Sequence, residues 1–345
     1  MADAARPDPS LLALPKAELH LHLEGSIAPA TAVELAARHG VHITAQEVAA
    51  RYAPGDFAQF IEAFKWVTSF LRDPADYALV MQHLGQSLAQ QNVLYAEITL
   101  SAGVMLLRKQ DPAANLHAIG GAAQKIPSLR CAWIFDCVRQ FGPAPAMEVA
   151  HRAAALRSDG VIAFGMGGDE LSLPASEFRA AYDFAAAAGL HRLVHAGETG
   201  GPESVVDAIE LLGAERIGHG IAAMRSERLM DSLAKSGVPL EVCPTSNLRT
   251  GALARQLGKS AATESEHPLP MLLRRGVRVT LGADDPAMFE TSLTAEYELA
   301  RRIGVAPQDL LRLARSGFEC AFLDVPERDA LQAEFERGRN AAGLL

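Results

Sequence analysis

His20 and His22 stand two apart in Glu18-Leu19-His20-Leu21-His22. Side chains two apart on a strand point the same way, so both imidazoles can converge on one metal ion. Alone, an H-x-H pair fits packed or surface histidines equally well. Three other segments share its setting. His195 closes an apolar run in His195-Ala196-Gly197-Glu198, His219 closes another in Arg216-Ile217-Gly218-His219-Gly220, and Asp284-Asp285-Pro286 follows a third. Each has a structural reading of its own, as a hydrogen-bonded histidine or as an aspartate capping a helix that starts at proline. The group as a whole resists that explanation. Three histidines and one carboxylate suit zinc, with a position open for water, and zinc brings the pKa of bound water toward neutrality. Residues 161–168 contain no lysine to bridge a second metal, so one Zn2+ per chain is expected. If Asp284 is a ligand, Asp285 is left to face substrate. Glu198 lies three residues past His195, where a desolvated carboxyl can act as a general acid; its structural reading is a carboxylate at a helix start.

The elements that must bring these groups together alternate strand and helix. Eight short β-rich runs are read at 17–23, 93–100, 131–138, 161–166, 192–195, 216–219, 239–243 and 277–281. Between them lie Ala- and Leu-rich stretches of helical spacing, such as 177–188 and 225–235, with Gly189, Gly213, Gly237 and Gly276 at the hand-overs. Eight such units predict an α/β protein, a single (β/α)8 TIM barrel spanning 1–345, whose strand ends meet on one face. An open doubly wound sheet would carry a G-x-G-x-x-G turn, which is missing. The connection from strand 1 to strand 2 exceeds one crossover helix. Within it Phe57, Phe60, Ile61, Phe64, Val67, Thr68 and Leu71 follow an amphipathic helical pattern. This insertion, at about 26–90, reads as a rim helix or as a lid over the catalytic face.

Composition narrows the class. The 345 residues are 49% hydrophobic and 21% charged, as in ordinary globular proteins. With 32 basic and 41 acidic residues the net charge is −9, which argues against nucleic-acid binding through phosphates but leaves a nucleoside ligand open. No apolar run approaches the ~20 residues of a membrane span, and residues 1–10 show no signal pattern; a cytoplasmic protein is expected. Cys131, Cys137, Cys243 and Cys320 form no C-x-x-C pair, so neither disulfides nor a thiolate zinc site is expected.

Taken together, the segments Leu14-Pro15-Lys16-Ala17-Glu18-Leu19-His20-Leu21-His22-Leu23-Glu24-Gly25, Gly167-Gly168-Asp169-Glu170, His195-Ala196-Gly197-Glu198, Arg216-Ile217-Gly218-His219-Gly220, Cys243-Pro244-Thr245-Ser246-Asn247 and Asp284-Asp285-Pro286 resemble the adenosine/adenine deaminase family, in its order and across residues 14–322. The resemblance implies His20, His22, His195 and Asp284 as zinc ligands. It implies Glu198 as the acid that protonates purine N1, His219 as orienter or base beside the metal-bound water, Asp285 at N7, and the Gly168 backbone at N3. His22 and Glu24 are expected near substrate. The reaction so implied is attack of water at C6 of a 6-aminopurine with loss of ammonia. Where adenosine-using members often carry Asp, this chain has Glu24, and residues 135–142 also depart from them. Adenosine, adenine and a larger adenosine derivative such as aminodeoxyfutalosine therefore stay open as substrates. Arg139 and Lys65 are candidate cations for the carboxylate of the last, although surface charge is the commoner role for each. Cys243 and residues 245–247 read as pocket floor or as turn. Competing functions are another metal amidohydrolase and a non-catalytic nucleoside-binding barrel. The missing strand-4 lysine and the presence of every expected catalytic group speak against them. Oligomeric state is not legible.

Overall fold

A computed structural model describes residues 8–53 and 55–341. Residues 1–7, part of the stretch read for a signal pattern, lie outside the described residues. The eight strands are β1 (Lys16–His22), β2 (Val93–Leu100), β3 (Arg130–Val138), β4 (Val161–Gly167), β5 (His191–Ala196), β6 (Arg216–His219), β7 (Leu240–Val242) and β8 (Val279–Leu281). All seven consecutive pairs are parallel and run in chain order. A bridge between Leu21 and Asp284 joins the last unit to the first. There the Asp284 amide donates to the His20 carbonyl and the His22 amide to the Asp284 carbonyl, each at 2.9 Å. The α/β barrel expected from the sequence is the fold found. Strand positions agree to within two residues, and the helices Arg179–Ala187 and Glu227–Ser236 fall in the expected stretches.

The strands are buried on both faces, as parallel strands wrapped by helices must be. Helix-to-strand turns use glycine for the left-handed backbone. Gly237 has φ +75° and its amide closes the preceding helix onto the Leu233 carbonyl. The barrel axis also holds charge. Arg216 bonds Glu97, donates to the Cys320 carbonyl at 2.8 Å, and sits 2.6 Å from Glu241. Buried ions need this degree of pairing.

Before β1 lies α1 (Pro9–Ala13). The connection from β1 to β2 forms α2 (Pro29–Arg38), α3 (Ala45–Arg51), α4 (Phe57–Thr68) and α5 (Pro74–Gln90). Asp56 caps α4 by accepting from the Gln59 amide. Ala63 and Val67 pack inward, and Phe60 meets Phe289 at a centroid distance of 5.1 Å. Thus α4 lies against the C-terminal mouth of the barrel. Among the described residues no helix is long and apolar enough to cross a membrane.

Candidate active site

The strand ends bring together the residues singled out by their spacing. His22 Nε2 lies 3.2 Å from His195 Nε2 and 3.4 Å from Asp284 Oδ1; His20 Nε2 lies 3.5 Å from the same oxygen. His219 Nε2 stands 3.9 Å from Asp284 Oδ2 and 3.6 Å from Glu198 Oε2. Donor atoms of His20, His195, His219 and Asp284 all fall within 4.8 Å of one another. Two of these residues, His219 (φ +61°) and Asp284 (φ +60°), adopt the left-handed backbone. That conformation costs a non-glycine residue about 1–2 kcal/mol and here turns each side chain into the mouth.

Hydrogen bonds sort the histidines by tautomer. His20 Nδ1 is 2.8 Å from the Glu241 carboxylate and His195 Nδ1 is 3.1 Å from the Met166 carbonyl. Both partners accept only, so both Nδ1 atoms carry hydrogen and both Nε2 atoms present bare lone pairs. His20 Nε2 is buried without a hydrogen-bond partner. His219 is set the opposite way. The Leu269 amide donates to His267 Nδ1 (3.2 Å), His267 Nε2 then donates to Asn247 Oδ1 (3.3 Å), and the Asn247 amide donates to His219 Nδ1 (3.2 Å). His219 therefore shows Nε2–H to the site. This donor chemistry, with an orphaned imidazole lone pair and an anionic oxygen facing it, fits a divalent cation such as zinc.

Electrostatics separates the adjacent aspartates. Burial alone would raise Asp284, but His20 beside it and the other surrounding imidazoles outweigh that and hold Asp284 well below the usual range. Asp285 is pushed well above that range by burial and by Asp284, and its Oδ1 has no partner. Glu198 is likewise raised, by burial first and then by the charges of Asp284 and Glu170. His195 is driven low by burial and its neighbouring imidazoles, so it stays neutral.

A cavity of about 130 Å3 opens over these groups and adjoins a groove of about 990 Å3. Phe57, Phe60, Ile61 and Phe64 of α4 form its apolar wall, and Gly168, Glu198, His219 and Asp285 line it opposite. Glu24, expected at substrate, is buried without lining the cavity, and its Oε2 has no partner. Its Oε1 accepts from the Ser101 amide at 2.9 Å, and Ser101 reaches the cavity in its place. Arg139 does not line the cavity; its guanidinium donates to the carbonyls of Leu173 (3.2 Å) and His195 (3.4 Å). Lys65 lines both cavity and groove and pairs with Glu62 at 2.7 Å.

Some contributors escaped the sequence reading. Glu18 accepts from the amides of His20 (3.1 Å) and Ala283 (3.2 Å), holding β1 beside β8. Its signal was a carboxylate inside a strand buried on both faces. Glu241, within the three-residue strand Leu-Glu-Val, carried the same signal. Asp136 lines the cavity with Oδ1 unpartnered, its pKa pushed up to about 8 by burial. Gly25 leaves the space that Asp285 fills, since a Cβ there would come within 2.5 Å of the Asp285 Cβ.

The adenosine deaminase profile matches residues 15–337. The chain belongs to the adenosine deaminase family. It is a deaminase, and zinc is typical of the family. It is 39% identical over 334 residues to an aminodeoxyfutalosine deaminase of Streptomyces coelicolor, covering 94% of this chain and 84% of that one. It is 35% identical to an adenine deaminase of Agrobacterium fabrum, covering 92% and 97%. Among solved structures, an amidohydrolase from Burkholderia ambifaria with bound zinc superposes with a TM-score of 0.88 at 25% identity, covering 97% of this chain and 93% of that one.

Proposed function

We propose that this deaminase hydrolyses the 6-amino group of a purine nucleoside, adenosine or an adenosine derivative, to the 6-oxo product and ammonia. The observation that carries the reading is the meeting of Glu198, His219 and Asp285 with the His/Asp donor cluster at the closed end of one apolar cavity. His20, His22, His195 and Asp284 are the residues that would hold zinc, with His219 left out because its Nε2 bears hydrogen. A zinc ion there would supply a water acidified toward neutrality for attack on C6. Glu198, kept protonated by burial, gives its proton to N1 as C6 becomes tetrahedral and electron density moves onto the ring; of the two protons of the attacking water, one restores the Glu198 carboxyl and the other completes the amino group, which leaves as ammonia. His219 donates from Nε2 and orients the attacking oxygen. Asp285, also kept protonated, donates to N7, and the backbone at Gly168 meets N3. The aromatic face of α4 covers the base and keeps bulk water out. We read the whole chain as one catalytic domain with α4 as its cover.

Continuity of cavity and groove supports a substrate with a substituent beyond the base. A second reading, aminodeoxyfutalosine, is supported by Lys65 at the junction, where it can pair with a carboxylate. The test is a panel of adenine, adenosine, deoxyadenosine, methylthioadenosine and aminodeoxyfutalosine, followed by loss of aminopurine absorbance and by ammonia. A nucleoside should give the highest kcat/KM. Adenine above all nucleosides overturns the sugar-side reading, and no ammonia from any overturns the whole. Glu198→Gln should lose at least ~10²-fold in kcat while keeping its metal.

A further inference from the structure

Glu198 sits on a turn, and turns move more than the strands they follow. This turn is held from both sides. Glu170 reaches across from the segment after β4, and its carboxylate accepts from four successive amides: Gly197 at 2.5 Å, Glu198 at 3.2 Å, Thr199 at 2.8 Å and Gly200 at 2.7 Å. The Ser204 hydroxyl donates to it as well. On the other side the Gln256 amide donates to the carbonyls of Glu198 (2.8 Å) and Gly200 (2.7 Å), and Arg255 donates to that of Thr199 (2.8 Å). Gly200 fits because even one methyl there would meet the Glu170 carboxylate.

Glu170 is 8% exposed and lines neither the cavity nor the groove, so it reaches the chemistry only through Glu198, by the turn that carries that residue and by its own nearby charge. Four amides aimed at one carboxylate form a nest for an anion, and charge-assisted bonds of this kind are about twice as strong as neutral ones. Gln256 satisfies the carbonyls that the same turn leaves over. Together they fix the backbone of residues 197–200 and so the point from which the Glu198 side chain departs. We infer that Glu170, assisted by Gln256, is a positioning residue for deamination, holding the turn so that the Glu198 carboxyl meets the substrate ring.

The inference rests on Glu198 as proton donor, and the experiment separates the two. Zinc-loaded Glu170→Gln, Glu198→Gln and the double variant are assayed on whichever of adenine, adenosine and aminodeoxyfutalosine the parent turns over fastest. Glu170→Gln keeps the shape but turns an NH2 toward amide donors. It should lower kcat by at least ~30-fold, because displacement of a catalytic group by about 1 Å costs up to ~10²-fold. KM, zinc content and affinity for the 6-oxo product should change less than about threefold. In the Glu198→Gln background the same change should cost less than about threefold, since groups acting through one another are not additive. A full further loss in the double variant, or near-parental kcat for Glu170→Gln, overturns the inference. Near-parental kcat for Glu198→Gln overturns the reading beneath it instead. Should Glu170→Gln fail to fold, Gln256→Leu takes its place in the cycle with the same expected non-additivity, and additivity there is equally fatal.

Discussion

Replacing Gly25 by alanine tests the Asp285 assignment without touching a proposed catalytic side chain. A Cβ at residue 25 would lie 2.5 Å from the Asp285 Cβ and closer still to its carboxylate, where non-bonded atoms keep at least 3.0 Å apart. The first clash is with the root of the side chain, so no rotamer of Asp285 relieves it. The backbone must part by about 0.5 Å, and the carboxylate must swing further, by on the order of 1 Å. Misplacement of that size costs a reaction ~10²-fold, equivalent to about 2.7 kcal/mol in the barrier. The residue-25 carbonyl still accepts from the Ala287 amide, as it does now at 3.1 Å, so the barrel should fold. The assay is kcat/KM on the best panel substrate, with zinc content and a thermal melt alongside. The expected result is a ~10²-fold loss at unchanged zinc, and almost no further loss when Asp285 is already glycine, which has no Cβ to meet. Activity within threefold of the parent, or an equal loss in the Asp285→Gly background, would refute the reasoning.

Elemental analysis of active protein should find about one zinc per chain; two tightly held metals, or none, would contradict the single-site donor set. Asp284→Ala should lose zinc, whereas Asp285→Ala should keep it and lose turnover, and a reversed pattern exchanges their roles. Glu296 accepts from the Thr245 amide, and burial raises it from 4.5 to about 7. The folded state thus holds a proton there that the unfolded state has released, so the stability it contributes is full below pH 4.5 and is lost as pH rises through about 7. Denaturant melts of Glu296→Gln against the parent should show a stability difference growing in the variant's favour, by up to about 3 kcal/mol, across that window and flat above it. A pH-independent difference would refute the assignment.

The barrel was legible because its strands are apolar runs closed by turn residues, and because parallel topology sends every strand end to one face. The clustered histidines could be read for the same reason, since H-x-H and a histidine at a run's end need only local pattern. Residues that act through a partner distant in sequence were not readable. Glu241 on β7 and His20 on β1 meet across β8 although 221 residues separate them in the chain, and the relay from Leu269 through His267 and Asn247 to His219 crosses three elements. Glu24 sits between the two cases. Its place in a motif suggests substrate contact, and the turn after β1 gives one carboxylate oxygen to the Ser101 amide and leaves the other without a partner. The amphipathic helix at 57–68 was visible as a pattern, and only the fold assigns its aromatic face to the cavity.

The seam between β8 and β1 has a consequence for how the chain acquires its shape. Asp284 closes the ring of strands with its own amide and carbonyl, and its carboxylate faces His20 and His22 across that joint. Ring closure therefore brings together points separated by roughly 260 residues, a loop whose entropy must be overcome before its contacts repay it. An ion held between His20 and Asp284 would clasp the ring at a joint that is highly non-local in sequence. By mass action such a clasp deepens the native well as free ion rises above its dissociation constant. Cells short of that ion would then hold a less stable barrel.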